Sequence, residues 1–341
     1  MESETRVANF TRNLDSRIVP ACFFVVVGQV AMAVQYLLVR LSARTVHYDV
    51  KVKWLPIAEQ LANGRVLYLT TTFDNKTPLW HALNFLVYRT GHYVVVFYLL
   101  VGLANAAIAY LLWEWLRREG KGKAGIVAGG SYLAASPVVL GTVTNVRSFA
   151  MVFVLLALLT RRAAIRGAFT AVAVLFSQFS VLAIPVLLYD GWRRSGKRYD
   201  WACRYLVAGA ATGVVAYLPL VLVWSPEAAV AGVKATFLEF NHYAFEKVDN
   251  FSPYNRPRMW AVHLLEVAQK LLVLLVGAAG AVAYRTLRSG WTWDAFTKAT
   301  VLAALFTATL LVKSLAYYWL PPVVFLSVLL GTGLTGWIAT D

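Results

Sequence analysis

From Ile18 to Val39 the chain carries no charged side chain. About 20 continuous apolar residues are what an α-helix needs to cross a bilayer core, so this stretch commits the chain to a membrane. Comparable runs recur at His92 to Trp113, Ala124 to Leu140, Phe149 to Thr160, Gly167 to Trp192, Tyr205 to Trp224, Trp260 to Tyr284, Phe296 to Val312 and Leu315 to Trp337. They are unbroken rather than alternating, which excludes a β-barrel. Hydrophobic residues make up 59% of the chain and charged residues 14%, with mean hydropathy +0.61; soluble domains are about 45–50% apolar and about 25% charged. The expected fold is all-α, a polytopic transmembrane helical bundle of about ten spans. It forms a single domain over residues 1–341, with an external amphipathic-helix loop after the first span.

A net charge of +15 would suit a nucleic-acid binder, but the basic residues fall in short clusters between apolar runs. These are Arg117–Arg118–Lys121–Lys123, Arg161–Arg162–Arg166 and Arg193–Arg194–Lys197–Arg198. Lys and Arg are retained on the cytoplasmic side of membrane proteins, so no nucleic-acid partner is expected. Gly167 to Trp192 is about one bilayer length yet has arginines at both ends. A hairpin breaking near Ser177–Gln178–Phe179–Ser180 keeps both clusters on one side. An even number of passes then leaves both termini cytoplasmic and the polar segments 40–91 and 225–259 outside. The basic N-terminal stretch reads as a signal anchor, and the compact chain as a multi-pass protein of a prokaryotic plasma membrane. Cys22 and Cys203 lack metal-ligand spacing and read as small packed apolar residues. Walker and dinucleotide Gly-rich loops, zinc patterns and nucleophile elbows are absent from the sequence.

Carboxylates are scarce, which makes their positions informative. The first external segment, 40–91, holds Asp49 and Asp74. Between them Val52, Leu55, Ile57, Ala58, Leu61 and Ala62 recur at near-helical spacing beside Lys53, Glu59 and Gln60. That pattern predicts an amphipathic helix at the interface, stopped at Asn63–Gly64. Tyr68 follows, then Phe73-Asp-Asn-Lys-Thr-Pro78-Leu-Trp-His81, and a late segment reads Tyr317-Tyr-Trp-Leu-Pro-Pro322. Asp49, Gly64, Tyr68 and Lys76-Thr77-Pro78 in this order, together with the late aromatic-Leu-Pro segment, resemble the GT-C superfamily of membrane glycosyltransferases. The likeness is to the branch of protein O-mannosyltransferases and lipid A aminoarabinose transferases. It covers most of the chain in layout and two short stretches in residues. Gln178 and its neighbouring serines stand where that family often has a hairpin-tip Lys, Pro78 is single where a pair is usual, and no soluble domain is read after Trp337.

The resemblance implies inverting transfer of a sugar from a polyprenyl-phosphate donor to a lipid, glycan or protein acceptor at the external face. Attack by an acceptor hydroxyl needs a base, worth about 10²–10⁴-fold, and the resemblance puts Asp49 in that role. As a bare sequence feature Asp49 equally suits a cap of the helix starting near Val52. Asp74 is expected to orient the acceptor or share protons with Asp49, or to serve turn chemistry in Asp-Asn-Lys. Lys76 and His81 are candidates for the donor phosphate.

The leaving phosphate calls for a fixed cation. Lys313, between the last two spans and four residues before Tyr317, is the first choice and Arg147 the second. For both the bland reading is interfacial anchoring. Tyr317 completes the substrate-binding set. Glu239, His242, Glu246, Asp249, Arg256 and Arg258, among Phe237, Phe240, Tyr243 and Phe245, would cover the acceptor or form an aromatic belt. No cofactor is assigned; a divalent metal is possible but no spacing marks a site. Glu266 and Lys270 lie four apart in an apolar run and read as an intrahelical ion pair. The rival class is a multispanning transporter or lipid-carrier flippase, expected to show mid-span charges, inverted repeats and broken helices. A non-catalytic membrane scaffold is the third.

Overall fold

The computed structural model describes residues 2–41, 50–143, 145–238, 257–288, 290–312 and 315–338. Asp49, Lys313 and residues 239–256 of the second external segment lie outside the described residues. Among those described the chain is helical, with no strand. In order the helices are α1 Glu2–Leu41, α2 Leu55–Ala62, α3 Pro78–Arg89, α4 Tyr93–Arg118, α5 Gly122–Ala135, α6 Val146–Leu159, α7 Ala163–Phe176 and α8 Ile184–Arg194. They continue as α9 Tyr199–Val223, α10 Pro226–Val233, α11 Pro257–Lys270, α12 Leu272–Arg288, α13 Ala295–Thr307, α14 Thr309–Val312 and α15 Leu320–Ile338.

Four helical stretches are long and apolar enough to cross a bilayer: Arg17–Leu38 in α1, α4, α9, and Ala316–Gly336, which takes in most of α15. The pair α11–α12 makes a fifth if it is one broken span. Val207, Leu222 and Val273 on α9 and α12 are exposed, a large apolar surface that hydrocarbon tolerates and water does not. The chain is a helical membrane protein.

Local chemistry explains where the shorter helices begin. Asn145 caps α6 by accepting from the Arg147 backbone N–H at 2.9 Å, and Asp294 caps α13 by accepting from Thr297 N at 3.0 Å. Pro78 and Pro226 open α3 and α10, where a missing N–H costs no helix bond. The core centres on α4, which packs against α1, α5 and α6; α15 packs on α5, α12 and α13, and α7 on α6 and α9. The α7–α9 contact depends on Gly167, whose missing Cβ would lie 2.1 Å from the Tyr205 carbonyl oxygen. Any side chain there would force the helices apart.

Residues Gly167 to Trp192 fold back on themselves. Ser177 leaves α7 in extended conformation, a tight 3₁₀ turn runs from Gln178 to Ala183, and α8 returns. Arg166 at the start of the pair then meets Asp190 near its end at 3.1 Å. Both arms reach the same end of the molecule, as the arginines at each end predict.

Several sequence-based expectations need correction. The polar stretch 40–91 contains a second helix, α3, and α2 packs against it, burying Ile57 and Ala58. Trp260 to Tyr284 is not one straight span: it breaks at Leu271 with a bend of 79°. Arg147 lies in the first turn of α6, which begins three residues before the apolar run from Phe149. Arg166, grouped by sequence with the solvated cluster Arg161–Arg162, is fully buried. Cys22 and Cys203 are exposed rather than packed inside, on helices whose outer faces suit lipid. Glu266 and Lys270 do pair within one helix, at 2.7 Å.

Candidate active site

The loop between α2 and α3 builds one wall of the site. α2 ends at Asn63, and Gly64 follows at φ +79°, the left-handed conformation that glycine adopts without a Cβ penalty. Tyr68 takes φ +67°, which is strained for a bulky residue by about 1–3 kcal/mol. Local ties hold it there: its N–H donates to Thr71 Oγ1 at 3.2 Å, and its hydroxyl donates to the Lys76 carbonyl at 2.6 Å. Burial pushes its phenol well above the usual tyrosine range, so it stays protonated. Its ring meets the His81 imidazole edge-on, 5.7 Å between centroids.

Asp74 is buried rather than held out on a loop. The Trp54 indole N–H donates to its Oδ2 at 3.1 Å, the Asn75 N–H donates to its Oδ1 at 2.9 Å, and His81 Nε2 stands 3.7 Å from Oδ2. His81 is 1% exposed. Burial drives its pKa down from 6.5 to about 4, with the Asp74 carboxylate opposing the shift only in part. At neutral pH the ring is uncharged, with one nitrogen a hydrogen-bond donor and the other an acceptor. Lys76 Nζ donates to Asn75 Oδ1 at 2.8 Å.

The other wall comes from the N-terminus of α6, the 3₁₀ turn Gln178–Ala183 and a second 3₁₀ turn, Ala316–Trp319. Arg147 is 7% exposed, and its guanidinium lies over the rings of Tyr318 at 4.0 Å, Tyr317 at 4.6 Å and Phe179 at 5.8 Å. Among the described residues no carboxylate pairs with it. Four buried polar atoms on the elements that frame it also have no hydrogen-bond partner: Asn145 Nδ2, Ser148 Oγ, Ser180 Oγ and Trp319 Nε1. A helix N-terminus adds partial positive charge. Among the described residues the guanidinium is met by π-faces alone, and desolvating a cation without a paired anion is costly.

Gln178 and Thr77 join the two walls. The Gln178 side-chain amide donates to the Asn75 carbonyl at 2.7 Å and the Thr236 carbonyl at 3.4 Å, and the Thr77 hydroxyl donates to the Leu175 carbonyl. Trp80, beside Trp54 at 5.0 Å, also meets Phe149 at 5.9 Å, two residues after Arg147. Asn105 donates to the Gly141 carbonyl and accepts from the Tyr132 hydroxyl, bracing the turn that leads into α6.

Of the predicted residues, Asp74, Lys76 and His81 share one wall, and Arg147 and Tyr317 share the other. Asp49 and Lys313 are outside the described residues. The neutral-amide brace by Gln178, the aromatic frame of Arg147 and the unpartnered Ser148 and Ser180 went unread in the sequence. Their sequence signals were the Ser177–Ser180 cluster at the hairpin tip and the late aromatic segment Tyr317–Tyr318–Trp319. Among the described residues no three His, Cys, Asp or Glu side chains converge as metal ligands. No protein-family model and no curated protein sequence matches the chain.

Proposed function

We propose that the protein is an inverting membrane glycosyltransferase of the GT-C type, using a polyprenyl-phosphate sugar at the external face. The observation that carries this reading is Arg147: a buried guanidinium framed by three aromatic rings, without a carboxylate among the described residues, beside unpartnered polar atoms. Such a group stabilises negative charge that grows on a leaving phosphate. In the reaction the acceptor oxygen forms a bond to the anomeric carbon as the carbon–oxygen bond to phosphate breaks. The acceptor's proton passes to Asp49, and the bonding electron pair leaves with the polyprenyl phosphate. Asp74, fixed by Trp54 and next to neutral His81, orients the acceptor. Lys313, adjacent in sequence to the Tyr317–Tyr318 frame, adds a second cation.

The topology that goes with this reading has ten passes, counting short α5 to α8 and α13 as crossings alongside the long helices. Ion pairs gather the basic clusters at one end: Lys121 and Arg285 with Asp294, Lys298 with Glu119, and Arg166 and Arg194 with Asp190. The positive-inside bias makes that end cytoplasmic and leaves Arg147, at the other end of α6, facing out.

A labelled polyprenyl-phosphate sugar offered to the purified protein tests the reading. Wild type releases polyprenyl phosphate and labels the acceptor; Asp49→Asn and Arg147→Ala do so at least about 10²-fold more slowly. Undiminished transfer by both variants refutes it. The 79° break at Leu271 favours a second reading, a transporter or flippase. Passage of lipid or solute across vesicles without donor consumption would select it.

A further inference from the structure

The end of the bundle away from Arg147 gathers the basic clusters, and these divide into two groups. In the first, cations and carboxylates neutralise one another. Arg117 and Arg118 share Glu114, and Lys121 and Arg285 share Asp294. Lys298 reaches Glu119 and Asp190, and Arg166 and Arg194 close on Asp190.

The second group lies where the turn between α6 and α7 meets the start of α9. The Trp201 indole N–H donates to the Arg161 carbonyl at 3.4 Å, and its ring lies so close to Gly191 that a Cβ there would come within 1.8 Å of it. Trp201 therefore holds the turn carrying Arg161 and Arg162 beside the first turns of α9. Arg198 and Arg204 stand on those turns, and Lys197 is next in the chain. All five side chains are exposed. Among the described residues they reach one carboxylate, Asp200, at 2.9 Å from Arg198 and 3.8 Å from Arg204. Such exposed pairs contribute little. Arg161, Arg162 and Lys197 meet no carboxylate among the described residues, so this patch keeps the positive charge that the first group cancels.

The surroundings are those of a membrane–water boundary. Tyr199 is exposed, with the Trp192 ring 6.3 Å away, and such aromatics favour the level of lipid head groups. Further along the same helices Ile165, Leu206 and Val207 present exposed apolar side chains. Of the long apolar helices α9 is the least buried, so lipid covers much of it. A soluble anion would use the guanidinium groups and leave this apolar surface bare. A phospholipid uses both, and the planar fork of arginine suits its phosphate oxygens.

We infer that this patch is a fixed seat for an anionic diacyl phospholipid of the leaflet at this end, the cytoplasmic one in the topology given above. Its phosphodiester is held by Arg161 and Arg162 together with Arg198 and Arg204. Bound there, the lipid ties the α6–α7 turn to α9 and reinforces the bridge made by Trp201. Diffuse attraction of basic loops to anionic head groups would spread over every exposed cation. A seat concentrates it where carboxylates are missing and apolar helix adjoins. Lys123 and Arg288 supply the comparison: both are exposed and meet no carboxylate among the described residues, but they stand on α5 and α12. The inference does not depend on the chemistry at Arg147.

The test offers the full chain phosphatidylglycerol or phosphatidylcholine with identical acyl chains and counts retained lipid by native mass spectrometry. Wild type should retain phosphatidylglycerol about tenfold more strongly or better, and its melting temperature should rise with that lipid and not with the other. The double variant Arg161→Gln/Arg162→Gln should lose both the preference and the rise. Lys123→Gln/Arg288→Gln removes the same charge from the same face and should keep both. Photo-crosslinking of phosphatidylglycerol carrying a diazirine on its acyl chain should label α7 and α9 in wild type, and needs no variant to fold. Equal retention of the two lipids, or crosslinks confined to other helices, would overturn the inference. Equal losses in the two double variants would reduce it to diffuse attraction and remove the seat. Displacement of the lipid by glycerol phosphate at matching concentration would assign the patch to a soluble anion and overturn it as well.

Discussion

The two ends of α6 treat buried charge in opposite ways. At one end Arg166, fully buried, donates to the Thr160, Leu187 and Leu158 carbonyls and pairs with Asp190. Asp190 also meets Lys298 and Arg194, accepts from the Trp293 indole, and Lys298 reaches on to Glu119. At the other end Arg147 has aromatic faces around it and no carboxylate among the described residues. Breaking a saturated buried network is costly because each lost partner leaves another charge stranded. At Arg147 there is no such network among the described residues to break. The paired end holds α4, α7, α8 and α13 together, and under the proposed function the unpaired end is where the donor phosphate binds.

Four experiments break or sharpen that contrast. The largest effect belongs to the open end: Asp49→Asn should slow sugar transfer by about 10²–10⁴-fold, with the melting temperature in detergent unchanged. Next comes the closed end, where Asp190→Ala should lower stability by about 3–5 kcal/mol, seen as early melting. Arg147→Ala should melt near wild type, and equal losses in both variants would erase the distinction between the ends.

A third effect comes from His81. Its folded pKa of about 4 lies below the ordinary 6.5, so as pH falls the unfolded chain takes up the proton first. Stability should therefore hold above pH 6.5 and decline by about 3 kcal/mol on the way down to about pH 4. His81→Gln should flatten that limb. The smallest effect is Tyr68→Phe, which removes the bond to the Lys76 carbonyl and should cost about 1 kcal/mol, with the ring contact to His81 kept.

Much of the frame is legible because bilayer thickness and backbone periodicity act locally. Ile18 to Val39, Tyr205 to Trp224 and the Leu315 to Trp337 run each contain a stretch that the structure folds as a long apolar helix. Arginines at both ends of one bilayer length predict the fold-back that brings Arg166 to Asp190, and Asn63–Gly64 predicts the end of α2. Other features hide because their signal is weak or shared. α3 lies in a stretch broken by Asn84 and His81, whose burial makes sense only against Tyr93, Asp74 and Trp54. The bend at Leu271 directly follows Gln269 and Lys270, but no proline or glycine marks it.

By itself the sequence determined that this chain is a helical membrane protein, roughly where its helices start and stop, and which end of each carries the arginines. Those properties follow from hydrophobic length, capping and charge placement within a few residues. Tertiary structure alone decided that Arg166 is locked and Arg147 is not. Arg147's frame comes from Tyr317 and Tyr318, far along the chain, and Arg166 is neutralised within a cluster that also draws in Lys298 and Glu119. Which partner a buried charge finds depends on how the helices pack, and periodicity within one helix carries no record of its neighbours.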